Sequence, residues 1–285
     1  MKRNLKAVLA DRLRLEELEL LYRSYDVIGD IAIIRIPDAL KHRSKAIAEA
    51  IMQIQKHVKT VLRQVSPVSG DLRLRRVEWV VGEKKVESLH KEHGCLFKIA
   101  HERCYFSPRL SHERMRISQQ VQSGEVIVNM FSGVGCYSIM IAKHSAVEKV
   151  YSIDINPVAV RYMQENVKLN KVGGRVIPIE GDAKNIIQES LQNVADRVLM
   201  PLPERAYEYL GYAVQALKQK GGWIHYYDFE HARKDESSVE KVKVKVVERL
   251  QNLGVDSEIP FGRIVRTTGP NWYQVALDVH LTNLL

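Results

Sequence analysis

The chain has 285 residues, long enough for two ordinary domains with separate cores, and its 45% apolar and 27% charged content is that of a globular protein. No apolar run reaches the length of a membrane span, and Met1-Lys2-Arg3-Asn4-Leu5-Lys6 leads into no signal-peptide core, so a cytoplasmic location is expected. The net charge of +9 suits a polyphosphate partner, although surfaces of thermophile proteins are also rich in Lys and Arg.

Leucines at helical spacing predict an amphipathic helix from Leu5 to Tyr22. Val27 to Ile36 reads as a strand stopped by Pro37, and Lys41 to His57 as a helix with Ile47, Ile51 and Ile54 on one face. Short strands follow at Thr60 to Val65, Leu72 to Val81, Lys85 to His90 and Cys95 to Ile99, giving a small α+β domain over residues 1–105. Cys95, Cys104 and Cys136 form no disulfide framework. Cys95 and Cys104 crowd with His90, His93 and His101 without a zinc-type pair, so no metal site is expected.

A connecting helix from Ser111 to Gln122 opens residues 106–285, where strands alternate with helices as in a doubly wound α/β sheet. The apolar strand from Val126 ends in Phe131. Gly133 and Gly135 then allow a tight turn into a helix near Cys136, and without Cβ atoms they let a ligand approach the backbone. A second apolar strand ends on Asp154, about twenty residues past the glycines, the spacing that puts a carboxylate under two ribose hydroxyls. Tyr137 and Ser138 stand where a dinucleotide fingerprint needs its third glycine. This favours a ligand with adenosine and no phosphate, and S-adenosylmethionine is such a ligand; a purely structural turn is the other reading of two glycines.

Helix Pro157 to Leu169, strand Arg175 to Glu180 running to Asp182, and strand Arg197 to Met200 ending in Pro201-Leu202-Pro203 follow. A helix from Glu204 to Lys220 is expected to stop at Gly221-Gly222 as its C-cap. Strand Trp223 to Phe229, helix Val239 to Leu253 and strands near Ile259 to Arg266 and Tyr273 to His280 close the sheet. Ligands bind outside the carboxyl ends of such strands, which singles out Phe131, Asp154, Asp182 and Pro201. Each Asp also reads as an ordinary helix N-cap.

Several segments, in order, resemble the archaeal and eukaryotic tRNA guanosine-37 N1-methyltransferases over almost the whole chain. They are Arg73-Leu-Arg75-Arg76 after Ser69-Gly70, Tyr105-Phe-Ser-Pro-Arg109 continuing to Glu113-Arg114-Met-Arg116, Met130-Phe-Ser-Gly-Val-Gly135, Asp154-Ile-Asn-Pro157, Glu165-Asn166 with Leu169-Asn170, Met200-Pro-Leu-Pro203 and His225-Tyr-Tyr-Asp228. The resemblance implies a class I, Rossmann-like methyltransferase sheet with a smaller N-terminal α+β domain. It implies S-adenosylmethionine as donor and tRNA, engaged at its anticodon stem-loop by a monomer, as partner. It makes Glu113 the general base, Arg73 or Arg75 the cation near the purine oxygen, and Tyr105 and Pro203 parts of the target pocket. Arg114, Phe131, Gly133, Gly135, Asp154, Ile155, Asp182, Ala183 and Pro201 would hold the cofactor. By residue type alone, Glu113 and Arg114 read instead as a solvated helix face.

Two departures stand out. Pro201 replaces the Asn of the family's Asn-Leu-Pro, removing a side-chain amide. Many members also carry a further N-terminal domain that checks the tRNA elbow; this chain starts too late to hold it, so elbow sensing is expected to be weak or lost. The related wybutosine-pathway enzymes use the same cofactor for aminocarboxypropyl transfer, but Arg109 and Pro-Leu-Pro favour methyl transfer. A non-catalytic RNA-binding relative would need none of Glu113, Asp154 and Asp182.

Overall fold

The computed structural model describes residues 4–70, 72–282 and 284 of the chain. The backbone divides into two units, Met1–Pro108 and Arg109–Leu285, each with a hydrophobic cluster of its own.

In the first unit, the single helix expected from Leu5 to Tyr22 is two short ones, α1 (Leu5–Leu9) and α2 (Leu15–Leu20). Asn4 caps α1 by accepting from the Lys6 N–H. The break belongs to Glu17, whose carboxylate accepts from the Arg14 N–H at 2.8 Å and from Arg43 and His42 at 2.9 and 3.1 Å. These long-range partners restart the helix at Leu15. The apolar run around residue 30 is a hairpin rather than one strand: β1 (Tyr25–Ile28) and β2 (Ile31–Arg35) pair antiparallel across Gly29-Asp30. Gly29 has φ +59°, as a two-residue hairpin turn requires, and a Cβ there would lie 2.4 Å from the Leu89 carbonyl oxygen.

Helix α3 (Ser44–Ile54) follows a 3-10 turn and buries Ile47 and Ile51, with Ile54 packed at the edge of the same cluster. Strand β3 (Thr60–Gln64) runs parallel to β2, and β4 (Val77–Gly82) pairs antiparallel with β3, giving the order β1-β2-β3-β4. The strand expected from Leu72 starts only at Val77, because Ser69 and Leu74 exchange two backbone hydrogen bonds and close a loop. A separate hairpin, β5 (Glu87–Glu92) and β6 (Cys95–Ala100), completes the unit.

The second unit opens with α4 (Ser111–Gln120) and continues through β7 (Val126–Asn129), α5 (Cys136–His144), β8 (Lys149–Asp154), α6 (Pro157–Leu169) and β9 (Val176–Glu180). An unanticipated helix, α7 (Ala183–Ser190), precedes β10 (Arg197–Met200), α8 (Pro203–Ala216), β11 (Gly221–His231), α9 (Ser238–Gln251), β12 (Ser257–Gly269) and β13 (Trp272–Thr282). The seven strands lie in the order β12-β13-β11-β10-β7-β8-β9. Those from β11 to β9 are parallel, and β13 joins them antiparallel. The strand order reverses beside β7, the place where such sheets open a crevice for a ligand.

Gly221-Gly222 is not a helix cap. Helix α8 ends at Ala216, and both glycines begin β11, where Gly221 has φ +88° and a Cβ would stand 2.0 Å from the Leu281 carbonyl oxygen. The two faces of the sheet differ in chemistry. Val128, Val198, Met200, Ile224, Tyr226, Val275, Leu277 and Val279 join α7, α8 and α9 in one apolar cluster. Since side chains alternate along a strand, the other face carries Asn129, Arg197, His225, Tyr227 and Asp278, all buried.

Candidate active site

Asp154 ends β8 with both carboxylate oxygens anchored to backbone: Oδ2 accepts from the Gly133 N–H at 2.6 Å and Oδ1 from the Asn156 N–H at 2.9 Å. Burial raises its pKa, and these two hydrogen bonds oppose that rise. Gly133 bends toward the carboxylate with φ +55°. Gly135 caps α5 at φ +90°, and its lack of a side chain has an internal cause: a Cβ would lie 2.9 Å from Met163 and 3.0 Å from Ile139. Ile155, next to Asp154, is 54% exposed, an apolar side chain held in the open at a strand end.

Asp182 is both an N-cap and a strand-end carboxylate. It accepts from the Lys184 N–H at 2.9 Å and, on both oxygens, from the Tyr209 hydroxyl at 3.0 Å. Burial and this carboxylate push Tyr209 up to about 12. The Tyr209 ring meets Phe131 edge-on at 5.3 Å, and Ala183 is buried at the start of α7. Pro203 is buried at the first position of α8, where its fixed φ suits helix entry; Pro201 is half-buried, and the Leu202 N-cap makes no side-chain capping bond. At the end of β7, fully buried Asn129 donates to Ser138 at 3.0 Å, while its Oδ1 lacks a partner among the described residues. Two carboxylates, an exposed aliphatic side chain and an aromatic ring at neighbouring strand ends are chemically suited to the ribose and base of S-adenosylmethionine.

Glu113 and Arg114 are 1% and 2% exposed, so the solvated-face reading of α4 is wrong. Tertiary partners account for the burial of Glu113. Its Oε1 accepts from Arg116 Nη2 at 2.7 Å and from the Tyr227 hydroxyl at 2.9 Å, Arg116 Nε lies 3.1 Å from both oxygens, and Arg263 approaches Oε2 at 3.8 Å. Tyr227 lies 3.4 Å from the hydroxyl of Tyr137, which stands two residues past Gly135. Arg116 is shared, since Asp278 accepts from its Nη1 at 2.6 Å and from the same Nη2 at 3.0 Å.

The network continues to His225, the cross-strand partner of Asp278. Arg197 can only donate, so at 2.7 Å the His225 Nε2 accepts and the ring proton sits on Nδ1, donated to Asp278 at 2.7 Å. Burial holds that imidazole neutral, below its usual pKa, against the pull of Asp278. Glu125 closes the chain by accepting twice from Arg197, at 2.8 and 2.9 Å. Arg116 and His225 stand in the quoted motifs, but their roles were not legible. Asp278 carried a signal that sequence reasoning passed over: a carboxylate amid the apolar run Val275-Ala-Leu-Asp-Val-His-Leu281.

In the first unit, Arg73 closes the loop held by Ser69 and Leu74 at φ +51°, a strained angle for a side-chain-bearing residue, and its guanidinium lies 4.2 Å from the centre of the Tyr105 ring. Arg75 faces Asp26 at 3.9 Å and Gln64 at 3.4 Å.

The TRM5/TYW2 methyltransferase domain model matches residues 88–255. The chain belongs to the TRM5/TYW2 methyltransferase family. The TYW2 N-terminal domain model matches residues 5–85. Among the members, tRNA (guanine(37)-N(1))-methyltransferase Trm5b of Pyrococcus abyssi is 40% identical over 91% of this chain and 75% of its own. The crystal structure of that protein superposes with a TM-score of 0.84 at 38% identity, covering 95% of this chain and 78% of the other. The tRNA 4-demethylwyosine(37)-methyltransferase Taw21 of Saccharolobus solfataricus is 38% identical over 93% of this chain and 97% of its own. Methanocaldococcus jannaschii TYW2 in complex with AdoMet matches with a TM-score of 0.68 and 28% identity over 91% of this chain and all (100%) of the other. Among the described residues, no helix of this family member is long and apolar enough to cross a membrane.

Proposed function

We propose that the chain transfers a methyl group from S-adenosylmethionine to N1 of guanosine 37 in tRNA. The observation that carries the reading is the buried carboxylate of Glu113, linked through Tyr227 to Tyr137 beside the glycine turn. N1 of guanine holds its proton at neutral pH, so methylation there needs a base, whereas aminocarboxypropyl transfer to carbon places no such demand on that nitrogen.

When bound, S-adenosylmethionine supplies an electrophilic methyl group. Asp154 would take the ribose hydroxyls and Asp182 the adenine amino group, and Arg114, Phe131, Gly133, Gly135, Ile155, Ala183 and Pro201 would line the rest of the cofactor site. Glu113 accepts the N1 proton. Negative charge then builds on the purine oxygen, where a guanidinium shielded from water stabilises it. Arg73 is assigned this role because its guanidinium is held against the Tyr105 ring. Tyr105 and Pro203 shape the target pocket. Residues 1–105 serve the RNA and residues 106–285 the cofactor, with the anticodon stem-loop as the part of the tRNA engaged and the monomer as the working form.

The TYW2-type N-terminal match and the likeness to Taw21 favour a second substrate at the same position, the 4-demethylwyosine nucleoside. Mass analysis of nucleosides after incubation with cofactor and tRNA tests both. A methylated guanosine supports the first reading, a methylated wyosine precursor the second, and an aminocarboxypropyl product would refute methyl transfer. No product together with no heat on titrating S-adenosylmethionine would leave a non-catalytic RNA-binding relative.

A further inference from the structure

A carboxylate clamped by a buried guanidinium alone is a poor base, because taking a proton strands the cation without a counter-charge. Arg116 escapes that penalty. It bonds Glu113 on one side and Asp278 on the other, so it stays paired whichever protonation state Glu113 adopts. Asp278 also adds a like charge behind the guanidinium, and a nearby like charge makes a carboxylate hold its proton more tightly. Tyr227 acts in the opposite sense, because its hydroxyl donates to Glu113 and stabilises the ionised form.

We propose that Asp278 and Tyr227 are positioning residues that set the basicity of Glu113 in opposite directions, Asp278 raising it through Arg116 and Tyr227 lowering it. The inference rests on the reading of Glu113 as the base. Burial alone would raise the Asp278 pKa, but the hydrogen bonds from His225 and Arg116 hold it well below the usual carboxylate range, so Asp278 stays charged throughout. The other charged or titratable groups facing this cluster are Arg114 on α4, Tyr137 on α5, Arg197 on β10, His225 on β11 and Arg263 on β12. Arg197 and Glu125 brace His225 from behind and keep its Nδ1–H directed at Asp278.

The test is the pH dependence of single-turnover methylation of tRNA at saturating cofactor, for the wild type, Asp278→Asn, Asp278→Glu, Tyr227→Phe and Glu113→Gln. Asp278→Asn is expected to move the acidic limb of the profile down by about one pH unit and to lower the plateau about tenfold, and Tyr227→Phe to move the limb up. Asp278→Glu, which keeps the charge, should return the limb toward the wild type. Dissociation constants for tRNA and S-adenosylmethionine should hold in all of them, which a merely structural role would not predict. If Glu113→Gln is inactive while Asp278→Asn and Tyr227→Phe keep the wild-type limb, the inference fails and the base stands. If Glu113→Gln reacts at the wild-type rate, the base reading fails first. Should Asp278→Asn not fold, Tyr227→Phe decides alone: it removes a single oxygen, and an unmoved limb overturns the proposal.

Discussion

The Tyr227 hydroxyl donates to Glu113 Oε1 across 2.9 Å, tying strand β11 to helix α4 inside the second unit. The bond joins residues 114 positions apart in sequence and leads, through Tyr137, to the turn that follows β7. A candidate base is thus linked to the helix that follows the glycine turn.

Asp154→Ala removes the acceptor assigned to the ribose hydroxyls and should weaken S-adenosylmethionine binding by roughly 1.5 to 3 kcal/mol, the range for hydrogen bonds to a charged group. Isothermal calorimetry measures it directly. Because the substitution also frees the Gly133 and Asn156 N–H groups, a thermal melt should accompany it. An unchanged dissociation constant in a folded variant would remove Asp154 from the site.

Arg73 and Arg75 should separate by readout. Arg73→Ala is expected to lower single-turnover methylation by about 3 kcal/mol of barrier, the cost of losing an oxyanion partner. Arg75→Ala, which removes the partner of Asp26 and Gln64, should act on the melting temperature and leave turnover of the folded protein near the wild type. The reverse pattern would exchange their roles.

Glu17 predicts an acid-sensitive N-terminus. Hydrogen bonds from Arg43 and the Arg14 N–H bring its pKa down from 4.5 to about 2. A carboxylate whose pKa is depressed in the folded state contributes stability that is present in full above its unfolded pKa and is lost as pH falls through the folded one. Melting temperatures between pH 5 and pH 2 should therefore fall more steeply for the wild type than for Glu17→Gln. Parallel curves would show that the Glu17 cluster contributes nothing.

Affinity for tRNA should drop sharply between low and physiological salt, since the Lys and Arg excess behind the +9 charge would release counterions on neutralising phosphates. Fluorescence anisotropy over a salt series gives the slope. A flat profile would mean that the basic residues are surface composition only.

Local chemistry alone determined much of this protein. Alternating apolar strands and capped helices from Val126 onward specified a parallel sheet, and the glycine turn and the two strand-end Asp residues marked the corner proposed for the cofactor. These signals are local, because a strand end, an N-cap and a turn each depend on a few adjacent residues. Where the outcome depended on partners far along the chain, sequence reading failed. Glu17 splits the first helix because Arg43 and His42 lie beside it, and Gly221 begins a strand because β13 crosses it closely. Nothing in Ser111-His-Glu-Arg-Met-Arg116 says that its charges are buried. That was decided by tertiary structure: Tyr227 brings a hydrogen bond to the buried carboxylate, and Asp278, 165 positions beyond Glu113 in the numbering, holds the Arg116 guanidinium that is its counter-charge, and without such partners burial would be too costly.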